Sequence, residues 1–475
     1  MYLMASVSQD VAATPSFKSA WWTPWLAEPL IAASVVRLTL FVALIARTGN
    51  SILISADTGS YLEPGRNLLQ HGRFVADGVP DLFRTPGYPI FLAVTGLAGL
   101  PVAAFVQVIL SVFSVLLIWK LGRQVFDDNH IALGAAWILA FEPITVTCSV
   151  VLLSETLFLT LFLLSLERLA EFLHRRRLRV LAVAGLWLAA ATFVRPVTYY
   201  LPVALALGLF LVLARVPGLR WKAPAVLLIC ALPWLAAWQV RNRVETGYGE
   251  FSSIKDENLY FFNVPAVIAR VEHRSFIDVQ DELVGTTCGR GCNEQLYLYQ
   301  PYLALHPEQA VWSQGQRLAF IHSEAIHILR AHYGVYLRTC LAGLLKVMFR
   351  LGSGTFDSLL YPNSDSINFE GTTRGSIAIA KTYPWVTVEK VTFGVVLMGL
   401  YLFAARGIYL VVRGVYRGSI HTACLWLLLG TALYFLAVIG ASGGVTADAR
   451  VRLPVTLVVC ILAAAGFRRK KTISQ

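Results

Sequence analysis

Long apolar runs recur along the chain and constrain its fold more than any other feature. Each is close to the length at which a helix crosses a bilayer, where the backbone has to satisfy its own hydrogen bonds. Only 14% of the residues are charged and 56% are hydrophobic, unlike a soluble domain. The sequence therefore predicts an all-α polytopic membrane protein with about ten transmembrane helices, at 29–46, 101–120, 131–147, 150–170, 179–194, 198–214, 223–241, 389–411, 421–440 and 453–467.

Short basic segments separate these runs and fall on one side of the predicted membrane. With the N-terminus inside, five inner connections are rich in Arg and Lys, as the positive-inside rule requires. A shift by one span would put all of them outside. Topology thus accounts for the net charge of +12, and we expect no nucleic-acid partner. The segments are KLGRQ (120–124), HRRRLR (174–179), RVPGLRWK (215–222), RGIYLVVRGVYR (406–417) and RRKK (468–471).

This topology divides the chain into three regions and predicts a multi-pass plasma-membrane protein with both termini in the cytoplasm. Residues 1–242 form a predicted N-terminal membrane core with an outer loop at 47–100. Residues 243–386 form a mixed extracytoplasmic segment with interfacial helices, and residues 387–475 form the C-terminal membrane helices and basic tail. The stretch 334–352 is amphipathic, which favours a helix along the membrane surface; a membrane-spanning helix is the alternative.

Two cysteines of the outer segment, Cys288 and Cys292, are separated by three residues. Cysteines this close commonly pair in an oxidising compartment, so a disulfide is the favoured interpretation and two free thiols are the alternative. No second Cys/His pair at ligand spacing follows, which argues against a zinc site.

The first outer loop combines acids, bases and turn residues between Ser55 and Pro89. A plain connection is much shorter, and we interpret this loop as an active-site loop at the membrane surface. Asp57 is placed to accept a proton from a hydroxyl; the alternative is that it caps a helix beginning at Thr58. Tyr61 lies one helical turn further on and would share the face of Asp57.

Arg84 precedes the rigid run Thr-Pro-Gly-Tyr-Pro at 85–89. A guanidinium on a fixed backbone suits two-point contact with a phosphate, and snorkelling to lipid headgroups is the alternative. Asp81, three residues earlier, is a candidate ion-pair partner of Arg84.

Glu155 is an isolated acid near the outer end of an apolar run. An ionisable group is costly there unless it faces a cavity or a charged partner. Arg195 at an outer turn is a natural partner, and Arg450 and Arg452 bring further cations to the same face, where Asp448 could neutralise one. A cavity with these carboxylates and guanidiniums suits an anionic lipid headgroup.

Several motifs together resemble the C-type (GT-C) glycosyltransferases, in particular bacterial aminoarabinose transferases and protein O-mannosyltransferases. The first outer loop carries a D-x-x-x-Y motif, an Asn-Leu-Leu and an Arg-Thr-Pro-Gly-Tyr-Pro, and three further motifs follow in the expected order. Gly65 stands where the family usually has Ala, and no second acid adjoins Asp57. The motifs are Asp57 with Tyr61, Asn67-Leu68-Leu69 with Gly72, Arg84 to Pro89, Ser154-Glu155, Arg195-Pro196 and Arg450-x-Arg452-Leu-Pro.

The resemblance implies a glycosyltransferase that moves a hexosyl or pentosyl group from a polyprenyl-phosphate carrier to a glycan, lipid or protein acceptor outside the membrane, with inversion. It implies Asp57 as the catalytic base or as an acid of the acceptor site. It leaves open a divalent cation (Mg or Mn), with Asp57 and Glu155 as candidate ligands. A transporter or flippase of a lipid-linked or anionic solute and a ligase using a lipid diphosphate are the alternatives. The implied substrate-binding residues are Tyr61, Asp81, Arg84, Tyr88, Glu155, Arg195, Arg450 and Arg452.

Overall fold

The computed structural model describes residues 24–49, 53–55, 57–285, 296–352, 384–416, 419–441 and 448–468. Helices dominate, and the described strands form one short antiparallel hairpin, β1 (Val75–Ala76) with β2 (Val79–Pro80). The N-terminal helices are α1 (Ala27–Thr48), α2 (Thr58–His71), α3 (Gly87–Thr95), α4 (Leu100–Phe126), α5 (Asn129–Phe141), α6 (Pro143–Val150), α7 (Glu155–Arg175), α8 (Leu178–Val194), α9 (Leu201–Val212) and α10 (Leu219–Thr246).

The remaining helices belong to the outer segment and the C-terminal region. The outer segment contains α11 (Ile254–Asn258), α12 (Val264–Val271), α13 (Phe276–Val284), α14 (Leu296–Leu305), α15 (Gln314–Ala331) and α16 (Tyr333–Phe349). The C-terminal helices are α17 (Pro384–Val412), α18 (Ser419–Ala441) and α19 (Leu453–Phe467). The protein is thus an all-α polytopic membrane protein, as the apolar runs predict.

The predicted number of ten spans is not confirmed. Among the described residues, six helices are long and apolar enough to cross a membrane, or seven if α5 and α6 count as one bent span. The difference arises where the predicted runs are short or charged. Helices α8 and α9 are apolar but shorter, and α7 carries Glu167, Arg168 and Glu171 besides Glu155. The six helices lie in α1, α4, α10, α17, α18 and α19.

The break between α5 and α6 has a clear chemical cause. Pro143 cannot continue the helix, and the two helices meet at 53°. The carbonyls of Leu139 and Ala140 at the end of α5 accept hydrogen bonds from Arg37 of α1, at 3.3 and 2.8 Å. Glu142 caps α6, since its Oε2 accepts from the Thr145 N–H at 2.7 Å. The fully buried Arg37 therefore stabilises a broken span inside the helix bundle.

Small residues allow helices to approach closely at two crossings. A Cβ on Gly65 of α2 would overlap the carbonyl oxygen of Pro89 in α3, which explains why glycine rather than alanine stands there. Likewise, a Cβ on Gly407 of α17 or Gly466 of α19 would overlap a backbone carbonyl of the opposite helix. Close packing through small residues is typical of membrane helices.

The described part of the outer segment has its own apolar core, and the first outer loop joins it. Tyr260, Phe261, Tyr302 and Ile321 pack together there, with Leu82 of the loop inserted among them. The region 334–352 forms the amphipathic helix α16 as its sequence predicts, whereas its placement at a membrane surface stays a prediction, as do the three domain boundaries. Cys288 and Cys292 lie outside the described residues.

Candidate active site

Asp57 lies directly before α2 and binds two guanidinium groups. Its Oδ1 is 2.9 Å from Arg84 Nη2, and its Oδ2 is 3.2 Å from Arg450 Nη2. The Asp57 side chain occupies the N-cap position of α2 but makes no capping hydrogen bond, and α2 is instead anchored by Thr58, whose Oγ1 donates to the Leu152 carbonyl at 3.0 Å. The carboxylate is therefore turned toward the arginines and not toward the helix.

Glu155 extends this network into the protein. It is the first residue of α7, where the positive end of the helix dipole favours a carboxylate. Its Oε1 is 2.6 Å from Arg195 Nη1 and 3.6 Å from Arg450 Nη1. The charges thus alternate from Arg84 through Asp57, Arg450 and Glu155 to Arg195. Asp448 adds a half-exposed carboxylate at the rim, 3.2 Å from Arg450 Nε.

Hydroxyl groups connect the two ends of this charged network. Arg84 donates from Nε to Ser60 Oγ at 2.8 Å and from Nη1 to Tyr61 Oη at 2.9 Å, and its guanidinium lies 4.1 Å from the centre of the Tyr61 ring. Tyr61 Oη is 3.2 Å from Ser154 Oγ, which accepts from Arg195 Nη1 at 3.1 Å. Every polar atom of the Arg84 guanidinium is therefore fixed in direction.

Asp81 holds the backbone that presents Arg84. Its Oδ1 accepts from the backbone N–H groups of Phe83 at 2.8 Å and of Arg84 at 3.0 Å. Burial raises the pKa of Asp81 to about 6, although these N–H groups and the Arg84 charge act in the opposite direction. Asp81 and Arg84 are close as the sequence suggests, but the described contact joins the carboxylate to backbone groups.

Two serines of the outer segment and one arginine of α10 bind the backbone of the same turn. Ser253 N–H donates to the Leu82 carbonyl at 2.9 Å and Ser252 Oγ to the Phe83 carbonyl at 2.7 Å. Arg241 Nη1 donates to the Asp81 carbonyl at 3.2 Å. These residues hold the Arg84 turn, and sequence reasoning missed them. No sequence pattern indicates these contacts, since Ser252 is 169 residues away from Phe83.

Tyr88 and Arg452 lie beside the charged network and make other contacts. The buried Tyr88 ring meets the Tyr61 ring edge to face at 4.9 Å, and its hydroxyl donates to Gln107 Oε1 at 2.5 Å. The buried Arg452 donates from Nη1 to the carbonyls of Val347 and Met348 at the end of α16, at 3.1 and 3.3 Å. Its described hydrogen bonds thus join α16 to the turn that carries Arg450.

Positive and negative groups are matched in the site. The three guanidiniums of Arg84, Arg195 and Arg450 contact the carboxylates of Asp57 and Glu155, and Arg450 also contacts Asp448. Burial alone would raise the pKa of Asp57, but the Arg84 and Arg450 guanidiniums outweigh burial and hold that pKa below its ordinary value. Asp57 is therefore ionised at neutral pH.

The two candidate metal ligands do not form a metal-type cluster in the part of the chain that the structure describes. No group of three or more His, Cys, Asp or Glu side chains is placed there to hold a metal ion. Both Asp57 oxygens and Glu155 Oε1 face guanidiniums, whereas Glu155 Oε2 is buried and has no hydrogen-bond partner among the described residues.

The chain is similar to solved membrane glycosyltransferases. One is the oligosaccharyltransferase of Archaeoglobus fulgidus in the apo form, at 15% identity and a TM-score of 0.49, covering 94% of this chain and 51% of that one. Another is ArnT from Cupriavidus metallidurans bound to undecaprenyl phosphate, at 14% identity and a TM-score of 0.38, covering 88% of this chain and 77% of that one. The chain thus spans about half the length of the oligosaccharyltransferase.

A family comparison covers part of the site, while a comparison with curated proteins gives no match. The matched region includes Tyr88, Glu155 and Arg195, whereas Asp57 and Arg84 lie before it and Arg450 lies after it. The resemblance to C-type glycosyltransferases is confirmed, because residues 88–238 match the family of dolichyl-phosphate-mannose-protein mannosyltransferases.

Proposed function

We propose that this protein is a glycosyltransferase that moves a sugar from a polyprenyl-phosphate carrier to an acceptor on the extracytoplasmic side of a bacterial inner membrane. The observation that supports it most is the ionised Asp57 between Arg84 and Arg450, in a network that continues to Glu155 and Arg195. Such a site offers a proton acceptor beside cations for a phosphate. The family match of residues 88–238 supports the same class of donor.

The proposed reaction is a single displacement. A hydroxyl or amine of the acceptor attacks the anomeric carbon of the sugar and loses its proton to Asp57. The bond from that carbon to the phosphate oxygen breaks, and its electron pair stays on the phosphate. Because attack and departure occur on opposite faces, the configuration at the anomeric carbon inverts, by analogy with inverting glycoside hydrolysis.

The arginines stabilise the leaving phosphate in this proposal. Its negative charge grows as the bond breaks, and cations aimed at that charge lower the barrier. Arg450, which contacts the one-third exposed Asp57 and is itself 26% exposed, is open to contact with a phosphate, whereas Arg84 is 9% exposed.

An assay for the released carrier tests this function. The purified full-length protein, given a polyprenyl-phosphate sugar and an acceptor extract, is expected to release free polyprenyl phosphate. The Asp57→Asn variant should keep its fold and donor binding but lose activity by about a hundredfold or more, because it lacks the base. Asn is also a good N-cap, so α2 should form normally.

Two outcomes would contradict the proposal. If the Asp57→Asn variant releases polyprenyl phosphate at the wild-type rate, Asp57 is not the base of the reaction. Movement of the lipid across vesicle membranes by the wild-type protein, without any release of sugar, would indicate a transporter or flippase instead. Identification of the sugar and the acceptor then follows from the products of the wild-type reaction.

A further inference from the structure

Arg450 lies between two carboxylates that differ in their surroundings. The Asp57 side chain is 34% exposed, whereas that of Glu155 is 4% exposed. The contact to Asp57 is shorter, with Nη2 3.2 Å from Oδ2, and the contact to Glu155 is longer, with Nη1 3.6 Å from Oε1. Arg450 therefore makes its two shorter contacts, both 3.2 Å, with the exposed carboxylates of Asp57 and Asp448, and its longer contact with the buried Glu155.

Glu155 has an acceptor position that no described residue fills. Arg195 binds its Oε1 at 2.6 Å, and the start of α7 fixes its backbone. Its Oε2 is buried and lacks a hydrogen-bond partner within the described ranges, and a buried carboxylate oxygen without a donor is unfavourable. A rotation of the Arg450 guanidinium toward Glu155 would give Oε2 a donor and form a two-point ion pair.

We propose that Glu155 is a positioning residue whose free oxygen provides a second position for Arg450, so that donor binding moves Arg450 off Asp57 and leaves Asp57 able to accept the proton of the acceptor. This inference rests on the proposed function, because it needs a donor phosphate and an acceptor proton. It assigns an order to the reaction: the donor binds first, and the base becomes effective afterwards.

The physical reason is competition for the same guanidiniums. A carboxylate that binds two arginines is a weak base, and a general base works best when its pKa is closer to the working pH. The donor phosphate brings a negative charge beside Asp57 and competes with it for Arg84 and Arg450. Repulsion between phosphate and carboxylate favours the arrangement in which Glu155 takes up part of the Arg450 charge.

The groups around Asp57 come from four parts of the chain. Arg84 of the outer loop and Arg450 of the turn before α19 contact it directly. Among the described residues, the other charged or titratable groups of the network contact these two arginines or their partners and not Asp57 itself. They are Tyr61 of α2, behind Arg84, and Glu155 of α7, Arg195 and Asp448, behind Arg450.

The variant Glu155→Gln tests this role in the full-length protein. The amide oxygen can still accept from Arg195, but the amide nitrogen offers Arg450 no acceptor, so Arg450 should stay on Asp57. We expect kcat to fall by about tenfold or more while the donor KM changes by less than about threefold. The acidic limb of the kcat profile should move to lower pH by roughly one unit, because Arg450 keeps the pKa of Asp57 low in the donor complex.

Two further variants complete the test. Glu155→Asp keeps the charge on a side chain that is shorter by one methylene. The acidic limb of its kcat profile should also move to lower pH, but by less than that of Glu155→Gln. The exposed pair of Glu282 with Arg274 provides the control, since Glu282→Gln also removes an arginine partner and should leave rate and profile unchanged.

Three outcomes would overturn the inference. A lower kcat with the acidic limb in its wild-type position would mean that Glu155 only supports the fold. A higher donor KM with an unchanged limb would mean that it only fixes the donor-binding arginines. If the wild-type protein releases no polyprenyl phosphate, the proposed function fails and the inference fails with it; if it does release it, the Glu155 variants decide the inference alone.

Discussion

Two aspartates of the first outer loop have opposite electrostatic surroundings. Asp57 binds two guanidiniums, which outweigh its burial and lower its pKa. Asp81 accepts from two backbone N–H groups, and its burial outweighs them and raises its pKa to about 6. At neutral pH, the charge on Asp57 therefore stabilises the folded protein, whereas the charge on Asp81 destabilises it.

Asp81→Asn is expected to stabilise the protein near neutral pH. A raised folded pKa contributes stability below the ordinary Asp pKa, and this is lost as pH rises through about 6. Asn keeps an oxygen for the Phe83 and Arg84 N–H groups without the charge. The gain in unfolding free energy at pH 7.5 should be at most on the order of 3 kcal/mol, and should fall to about 1 kcal/mol at pH 4.5. Thermal unfolding in detergent at both pH values measures it.

The exposed Asp127 gives a control for this prediction. Its side chain is 61% exposed, so Asp127→Asn should change the Tm at pH 7.5 by less than Asp81→Asn does. A lower Tm of Asp81→Asn at pH 7.5 would show that the turn before Arg84 needs the full carboxylate.

At the scale of residues, the sequence indicates which charged residues lie together better than it indicates where each side chain points. Asp57, Arg84, Glu155, Arg195 and Arg450 are brought together, because ionisable groups at the ends of apolar runs need partners. Whether these residues act on a substrate stays a prediction. The contacts of Asp81 and Arg452 with backbone groups depend on side-chain direction, which sequence spacing does not encode.

At the scale of elements, the position of Arg450 depends on the packing of α19. The turn that carries Arg450 leads directly into this helix, and α19 crosses α17 at Gly407 and Gly466. Neither glycine leaves room for a Cβ. A side chain at either glycine would push α19 away from α17, and the turn that carries Arg450 would move with α19.

Gly407→Ala should destabilise this crossing and reduce activity. Overpacking typically costs about 1–3 kcal/mol, and a shift of α19 would also displace Arg450. Gly399 lies on the same helix with open space around it, so Gly399→Ala is the matched control and should be neutral or slightly stabilising. Thermal unfolding and the carrier-release assay measure both variants. Equal behaviour of the two would show that the helices adapt to the methyl group.

The break between α5 and α6 shows what apolar runs alone do not predict. The run 131–147 suggests one continuous span, whereas the chain forms two helices around Pro143. Proline signals a break locally, but the donor that stabilises it, Arg37, belongs to another helix. Long-range partners of this kind are not visible in a hydropathy pattern.

At the scale of the whole molecule, the main prediction to test is the side of the membrane on which the basic connections and the outer segment lie. A cysteine at Arg177, in the basic connection after α7, should react with an impermeant thiol reagent only after the cells are permeabilised. A cysteine at Glu272 in the outer segment should react on intact cells. The wild-type protein, with its seven cysteines, sets the background. The opposite pattern would invert the topology and place the site in the cytoplasm.

The sequence predicts the fold class well because lipid leaves the backbone few choices. The number of spans is harder, since short helices such as α8 and α9 depend on their neighbours in the bundle. The clamp formed by Ser252 and Ser253 could not be predicted, because it joins regions far apart in the chain.

The contact between Asp57 and Arg450 also has a consequence for biosynthesis. The two residues are 393 positions apart, so the first outer loop leaves the ribosome long before the turn that completes the site. At translation rates of about 5–20 residues per second, the wait is on the order of 20 to 80 seconds. During this interval Asp57 can pair with Arg84 but not with Arg450, and the charged network is incomplete. The contact between Asp57 and Arg450 therefore forms only after the turn that leads into α19 has been synthesised.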